Sequence, residues 1–192
     1  MGRPKQFDPD AAVERAMDVF WRKGYAATTP QDLVDALGIG KGSLYNTFGS
    51  KHALFERALR RYRDSQAAAL VEMLEGSGPV KERVREALLL LVEMDLADPD
   101  RRGCMAVNTA AELAGTDEVA ADLVRRMLDR TEEAFSALLE KGQRAGEISS
   151  TRDARAIGSQ LLATVVGLRL MARVAEGPER LGRVIDATVD SL

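Results

Sequence analysis

The stretch Thr28-Thr29-Pro30-Gln31-Asp32-Leu33-Val34-Asp35-Ala36-Leu37-Gly38-Ile39-Gly40-Lys41-Gly42-Ser43-Leu44-Tyr45-Asn46-Thr47-Phe48-Gly49-Ser50-Lys51 decides how this chain folds. Thr29 can cap a helix, Pro30 is pre-organised for its first position, and Asp32 completes a capping box. The apolar run Leu33, Val34, Ala36, Leu37 ends at Gly38. Gly38-Ile39-Gly40 is a tight turn with one apolar plug. A second short helix, from about Lys41 to Phe48, buries Leu44 and Phe48 at i and i+4 and ends at Gly49. Two short helices joined by a glycine-containing turn match a helix-turn-helix. A helical hairpin with merely solvated polar residues fits the same spacing.

Upstream, Asp8 and Pro9 open a helix carrying Val13, Ala16, Met17, Phe20 and Trp21 at helical spacing, and Gly24 stops it. Downstream, Ser50 caps a much longer helix through Leu54, Ala58, Leu59 and Tyr62 to about Glu75. Breakers then separate helices expected over about 80–97, 101–114, 117–141 (capped by Thr116), 151–175 (capped by Ser150 with Asp153) and 179–190. No strand pattern is convincing. The expected fold is all-α with about nine helices: a three-helix head over residues 1–63 and a larger body over 64–192.

Composition narrows the function. The 45% hydrophobic content supports a core, and no apolar run is long enough to span a membrane. The single cysteine, Cys104, excludes an internal disulfide framework. Met1-Gly2-Arg3-Pro4-Lys5-Gln6 is neither a signal peptide nor a myristoylation signal, so the expected location is the cytoplasm. Net charge is −3, but residues 1–63 hold 11 Lys+Arg against 7 Asp+Glu while residues 64–192 hold 16 against 23. A basic front end on an acidic body suits a protein of which one part meets phosphate.

The helix-turn-helix residues have the matching chemistry. A helix entering the major groove needs an N-terminal face free of bulk, which Lys41, Gly42 and Ser43 provide. Ser43 can bond a phosphate or a base edge, Asn46 can pair with adenine, and Tyr45 can bond phosphate or touch a thymine methyl. Helix starts at Thr29, Gly40 and Ser50 offer backbone N–H groups to phosphates, and Lys51 adds a charge. Gly38–Ser43 shares glycines and a lysine with a phosphate-binding loop, yet Lys41 is followed by Gly42 and no strand precedes it. His52 is the only histidine, so neither a catalytic triad nor a His-rich metal site can be assembled, and it reads as a first-turn surface residue. No enzyme activity, metal or cofactor is expected.

The run from Thr28 to Leu33, then Leu37 to Lys51, then Leu54-Phe55 resembles the DNA-binding domain of the TetR/AcrR family of transcriptional regulators, and Phe20-Trp21-Arg22-Lys23-Gly24-Tyr25 resembles the end of that family's first helix. The resemblance covers about residues 7–60, and the helix layout agrees with the family over the whole chain. Asn46-Thr47 departs from it, since many members carry an aromatic or His there. The resemblance implies a repressor that binds a pseudo-palindromic operator as a dimer and is released by a small-molecule inducer. It also implies an N-terminal arm, with Arg3 and Lys5, able to follow the minor groove.

The family analogy makes the body a ligand-sensing and dimerising unit. Leu161, Leu162, Val165, Val166, Leu168, Leu170 and Met171 are apolar over more than one face, which suits a homodimer through the last two helices or a central helix of the monomer core. Arg101 to Leu113 resembles a helix that follows a Gly-Cys pair in one branch of the family. There Asn108 and Glu112 share a face beside Met105 and Thr109, and would line a ligand pocket if that face looks inward, or meet solvent if not. Cys104, beside Arg101 and Arg102 and near a helix start, is either a reactive thiol or a small buried residue. A regulator switched by oxidation or alkylation of Cys104 is the second reading.

Overall fold

Asp8 accepts the Asp10 N–H at 2.9 Å, and Pro9 begins α1 (Pro9–Lys23). The Thr29–Asp32 capping box forms and starts α2 (Pro30–Leu37), which the Gly38–Gly40 turn separates from α3 (Lys41–Phe48). The Ser50 hydroxyl accepts the Ala53 N–H at 3.0 Å and opens α4 (Lys51–Tyr62). These details come from a computed structural model, which describes residues 7–192. Within them α4 runs through a π turn (Arg63–Ala67) into α5 (Ala68–Glu75) as one rod. Then follow α6 (Val80–Ala97), α7 (Met105–Leu113), α8 (Glu118–Ala145), α9 (Ala154–Ala172) and α10 (Glu179–Asp190). Counting the α4–α5 rod once, the described residues form nine helices and no strand. None is long and apolar enough to cross a membrane.

Four of the boundaries differ from the sequence reading. The helix expected from 101 begins at Met105, because Arg101 and Gly103 take positive φ (49° and 64°) and keep Arg101–Cys104 out of a helix. Asp117, not Thr116, caps α8 by accepting the Val119 and Ala120 N–H groups, and α8 runs past Gly142 to Ala145. Gly142 stays helical, and a Cβ there would stand 2.5 Å from Val80 Cγ2, so the close packing calls for glycine. Asp153, not Ser150, caps α9.

Two apolar cores form, and they do not part at residue 63. The first joins Phe20, Leu33, Leu44, Leu54 and Phe55 of the head to Met105, Leu113, Leu123 and Met127 of α7 and the first half of α8. The second joins α5, α6, the rest of α8, α9 and α10 through residues such as Leu74, Leu88, Phe135, Leu161 and Ile185. Each fully buried Leu or Phe contributes about 1.5–3 kcal/mol of burial free energy. The head is thus fastened to α7 and α8 by shared apolar surface.

Polar links cross the same boundary. His52, in the first turn of α4 and 38% exposed, bonds Asp117 at 2.6 Å and faces Glu56 at 3.1 Å, so this surface residue also joins α4 to the start of α8. Arg102 bonds Asp18 on α1 at 2.6 Å and Asp98 at 2.9 Å. Burial opposes ionisation of Asp98 and Asp117, but bonds from Arg102 to the first, and from Ala120 N–H and His52 to the second, outweigh it. Both carboxyls titrate below their ordinary value, as does Asp32, held by Lys23 and Thr29. A folded pKa below the unfolded one gives stability that is complete above the unfolded value, about 4, and is lost as pH falls through the folded one. Thermal unfolding followed by circular dichroism is expected to show that acid limb, and Asp117→Asn to flatten it. An unchanged limb in the variant would contradict this assignment.

Candidate nucleic-acid interface and sensor cavity

In α3, Leu44 and Phe48 point into the core, which turns Lys41, Gly42, Ser43 and Asn46 to solvent and leaves Tyr45 half-buried. Among the described residues α3 has no side-chain cap, so its first N–H groups are open to an acceptor. Thr29 is exposed but occupied: its hydroxyl belongs to the capping box with Asp32. Arg3 and Lys5 lie outside the described residues. The head therefore presents one short helix end with Lys41, Gly42, Ser43 and Asn46 around it, the arrangement that anion and base-edge recognition needs.

Lys51 has a different role from the free charge the sequence suggested. Its Nζ donates to the carbonyls of Tyr25 and Thr28, both at 2.9 Å, and lies 4.2 Å from the centre of the Tyr25 ring. It ties α4 to the loop between α1 and α2. Lys51→Ala is expected to cost about 1–2 kcal/mol of stability, from two charge-assisted bonds discounted for partial exposure. Urea unfolding checks this; a loss of operator affinity with unchanged stability would restore the phosphate role.

Glu112 grips that loop from the other side. Its carboxylate accepts the N–H groups of Tyr25 (2.9 Å) and Ala26 (2.6 Å). Its Oε2 stands 2.8 Å from where a Cβ on Gly24 would be, and Gly24 has φ 80°, so both space and backbone call for glycine. Asn108 bonds the Arg102 carbonyl (2.8 Å) and receives Arg173 (3.0 Å). Met105 and Thr109 are buried. These placements correct the pocket expectation: Asn108 and Glu112 are tethers, Met105 and Thr109 are core, and of that group Cys104 alone lines the inner cavity.

That cavity, of about 50 Å³, lies at the seam of the two cores, between Tyr62, Leu70, Met127, Val165 and Arg169. The Tyr62 hydroxyl donates to Cys104 Sγ at 3.3 Å, and burial with the neighbouring thiol holds the Tyr62 pKa well above its usual value. Arg169 donates to both oxygens of Asp95 (3.0 and 2.7 Å). Burial opposes the guanidinium's charge, but the Asp95 bonds outweigh it and its pKa lies above the ordinary value. A groove of about 180 Å³ between Trp21, Met73, Leu90 and Met94 reaches the other side of Arg169. Asp95, Tyr62 and Arg169 were missed in the sequence. A single Asp in the run Leu88–Leu96 and a single Arg in Leu161–Ala172 were the available signals, since a charge in an apolar helix is buried only with a partner.

A helix-turn-helix head packed against a helical body, with a cavity at the seam of their cores, describes a DNA-binding regulator, and comparison with known proteins agrees. Residues 12–58 match the family model "Bacterial regulatory proteins, tetR family", and residues 91–188 match "Tetracyclin repressor-like, C-terminal domain". The chain belongs to the TetR family of DNA-binding transcriptional regulators. It is 34% identical, over the whole of both chains, to the uncharacterised HTH-type transcriptional regulator YezE of Bacillus subtilis. It is 29% identical to the HTH-type transcriptional repressor ComR of Escherichia coli, over 98% of this chain and 90% of that one. Among solved structures, a cysteine-substituted TetR family regulator CifR complexed with 26-base-pair operator DNA superposes with a TM-score of 0.85 and 31% identity over 99% of each chain.

Proposed function

We propose that the chain is a repressor that binds a pseudo-palindromic operator as a homodimer and leaves it when a small molecule occupies the cavity beside Arg169. The observation that carries the DNA reading is the open start of α3 with Lys41, Gly42, Ser43 and Asn46 exposed around it. The operator complex of CifR, a protein 31% identical, supports it. Residues 1–63 read DNA in this proposal, and 64–192 sense and dimerise. For the dimer, α9 and α10 supply the surface. The chain's own core takes Leu161, Val165 and Leu168, while Leu170 on α9 and Val174 just after it remain 54% and 85% exposed, and a Cβ at Gly167 or Gly182 would meet nothing within 4 Å among the described residues.

The test is titration of the purified chain against its upstream DNA, with the site located by footprinting. Affinity is expected to fall steeply with salt as counterions return to phosphate. Lys41→Ala is expected to weaken binding uniformly across sequences and to reduce the salt slope by about one. No binding at low salt, or an unaltered slope, would count against the interface.

The thiol reading also has a supporting observation: Cys104 lines the cavity and receives the Tyr62 hydroxyl, with Arg169 in the same wall. Timed labelling of the native dimer separates the two readings, since labelling no faster than global unfolding removes the thiol switch.

A further inference from the structure

The backbone carbonyl of Gly103 accepts two hydrogen bonds from opposite sides. Trp21 Nε1, on α1 of the head, donates at 3.0 Å. Arg169 Nη2, on α9 of the body, donates at 3.2 Å. A carbonyl oxygen has two lone pairs and can serve both donors, each bond being directional. Arg169 is also a wall of both the inner cavity and the outer groove. We propose that this carbonyl is the coupling point between the cavity and the DNA-reading head: an occupant that shifts Arg169 moves the Gly103 peptide, and Trp21 carries that movement into α1. The proposal rests on the regulatory reading above and specifies its route.

The surroundings make both sides of the junction stiff. Gly103 has φ 64°, and a Cβ there would lie 3.0 Å from Arg173 Cδ and 3.2 Å from the Arg169 carbonyl, so its peptide sits directly against α9. The Trp21 ring is held edge-on to Tyr62 (centroids 4.9 Å apart) and beneath the Arg102 guanidinium at 4.5 Å. A fixed indole cannot follow its acceptor by rotating alone, so α1 moves with it. Arg102 adds a parallel strut, bonded to Asp18 on α1 and Asp98 beyond α6. Arg169 in turn divides its donors between Gly103 and Asp95, so a change at one acceptor is felt at the other.

The chain has one tryptophan, so a ¹⁵N-labelled sample shows a single indole N–H resonance that reports on this bond. Arg169→Lys keeps the charge facing Asp95 but cannot serve both acceptors as the guanidinium does. It is expected to move the indole resonance by more than its linewidth and to change affinity for the footprinted operator duplex by about fivefold or more. In a Trp21→Phe background, which keeps an aromatic ring and loses the donor, the same substitution is expected to change affinity less than about twofold. Asp95→Asn serves as the second perturbation if Arg169→Lys loses its amide dispersion. An unmoved indole resonance in a folded variant overturns the proposal, and so does an equal effect on affinity in both backgrounds. A wild-type chain that ignores the operator overturns the regulatory reading instead, and the indole resonance still decides whether Arg169 and Trp21 are coupled.

Discussion

Asp95→Ala is expected to lower the free energy of unfolding by about 3–5 kcal/mol, the cost of leaving a buried charge without its partner. The Asp95 and Arg169 side chains are only 5% and 12% exposed, and their bidentate bonds use both carboxylate oxygens. Without Asp95, the acceptor left to Arg169 among the described residues is the Gly103 carbonyl. Arg169 stays charged whatever the pH, because its pKa is above the already high ordinary value. It therefore cannot escape the cost by losing its proton, as a lysine would. Removing both charges, with Asp95→Leu and Arg169→Met, is expected to recover most of the loss, since apolar replacements of similar volume are tolerated where a single charge is not. Chemical denaturation of the three proteins measures this. A loss below about 1 kcal/mol for Asp95→Ala would mean that water reaches the pair, as an exposed bridge contributes no more than that.

The head was legible because its signals are local. A capping box, a proline at a first helical turn and a glycine stop act within four residues, and Thr29–Asp32, Pro30 and Gly38 fall where the structure puts them. The starts of α7, α8 and α9 were harder. α7 starts without a side-chain cap, and at α8 the Thr116 hydroxyl donates to the Leu113 carbonyl while Asp117 caps. At α9 the helix starts at Ala154, where Asp153 accepts the Arg155 N–H, too far along the chain for Ser150 to cap it. Arg101–Cys104 left the helical path because Arg101, Arg102 and Gly103 are drawn to partners on α9, on α1 and at Asp98 just beyond α6.

The site was legible in part, for a similar reason. Exposure of one face of α3 follows from Leu44 and Phe48 alone, so Lys41, Ser43 and Asn46 could be read from spacing. The roles of Lys51, His52 and Glu112 could not, since their partners lie 23 to 87 positions away in the chain. The spacing of Asn108 and Glu112 correctly put them on one face. It did not reveal that the face meets the loop after α1 and the end of α9. The α4–α5 rod starts in the head and ends in the body, and is one connection between them. The structure adds a second connection through α7, whose Glu112 holds the loop that leads into α2.

Leu170→Glu combined with Val174→Glu is expected to make the chain monomeric and to cut operator affinity by about 10²- to 10⁴-fold, the gain usually obtained by linking two binding modules. Both side chains are exposed in the single chain, 54% and 85%, so the substitutions leave its cores intact. If α9 and α10 meet a second copy, each added carboxylate is buried beside its symmetry mate, where like charges repel and lose their hydration. Gly167 and Gly182 would otherwise let the helix backbones approach closely, since among the described residues neither has a neighbour within 4 Å of its would-be Cβ. The head is untouched, so the affinity of one head for a half-site should stay the same while the cooperative term for the full operator disappears. Sedimentation velocity gives the oligomeric state, and titration with full and half operators gives the two affinities. A doubly substituted chain that remains dimeric would move the interface elsewhere, and a monomer with undiminished affinity for the full operator would remove the need for two coupled reading heads.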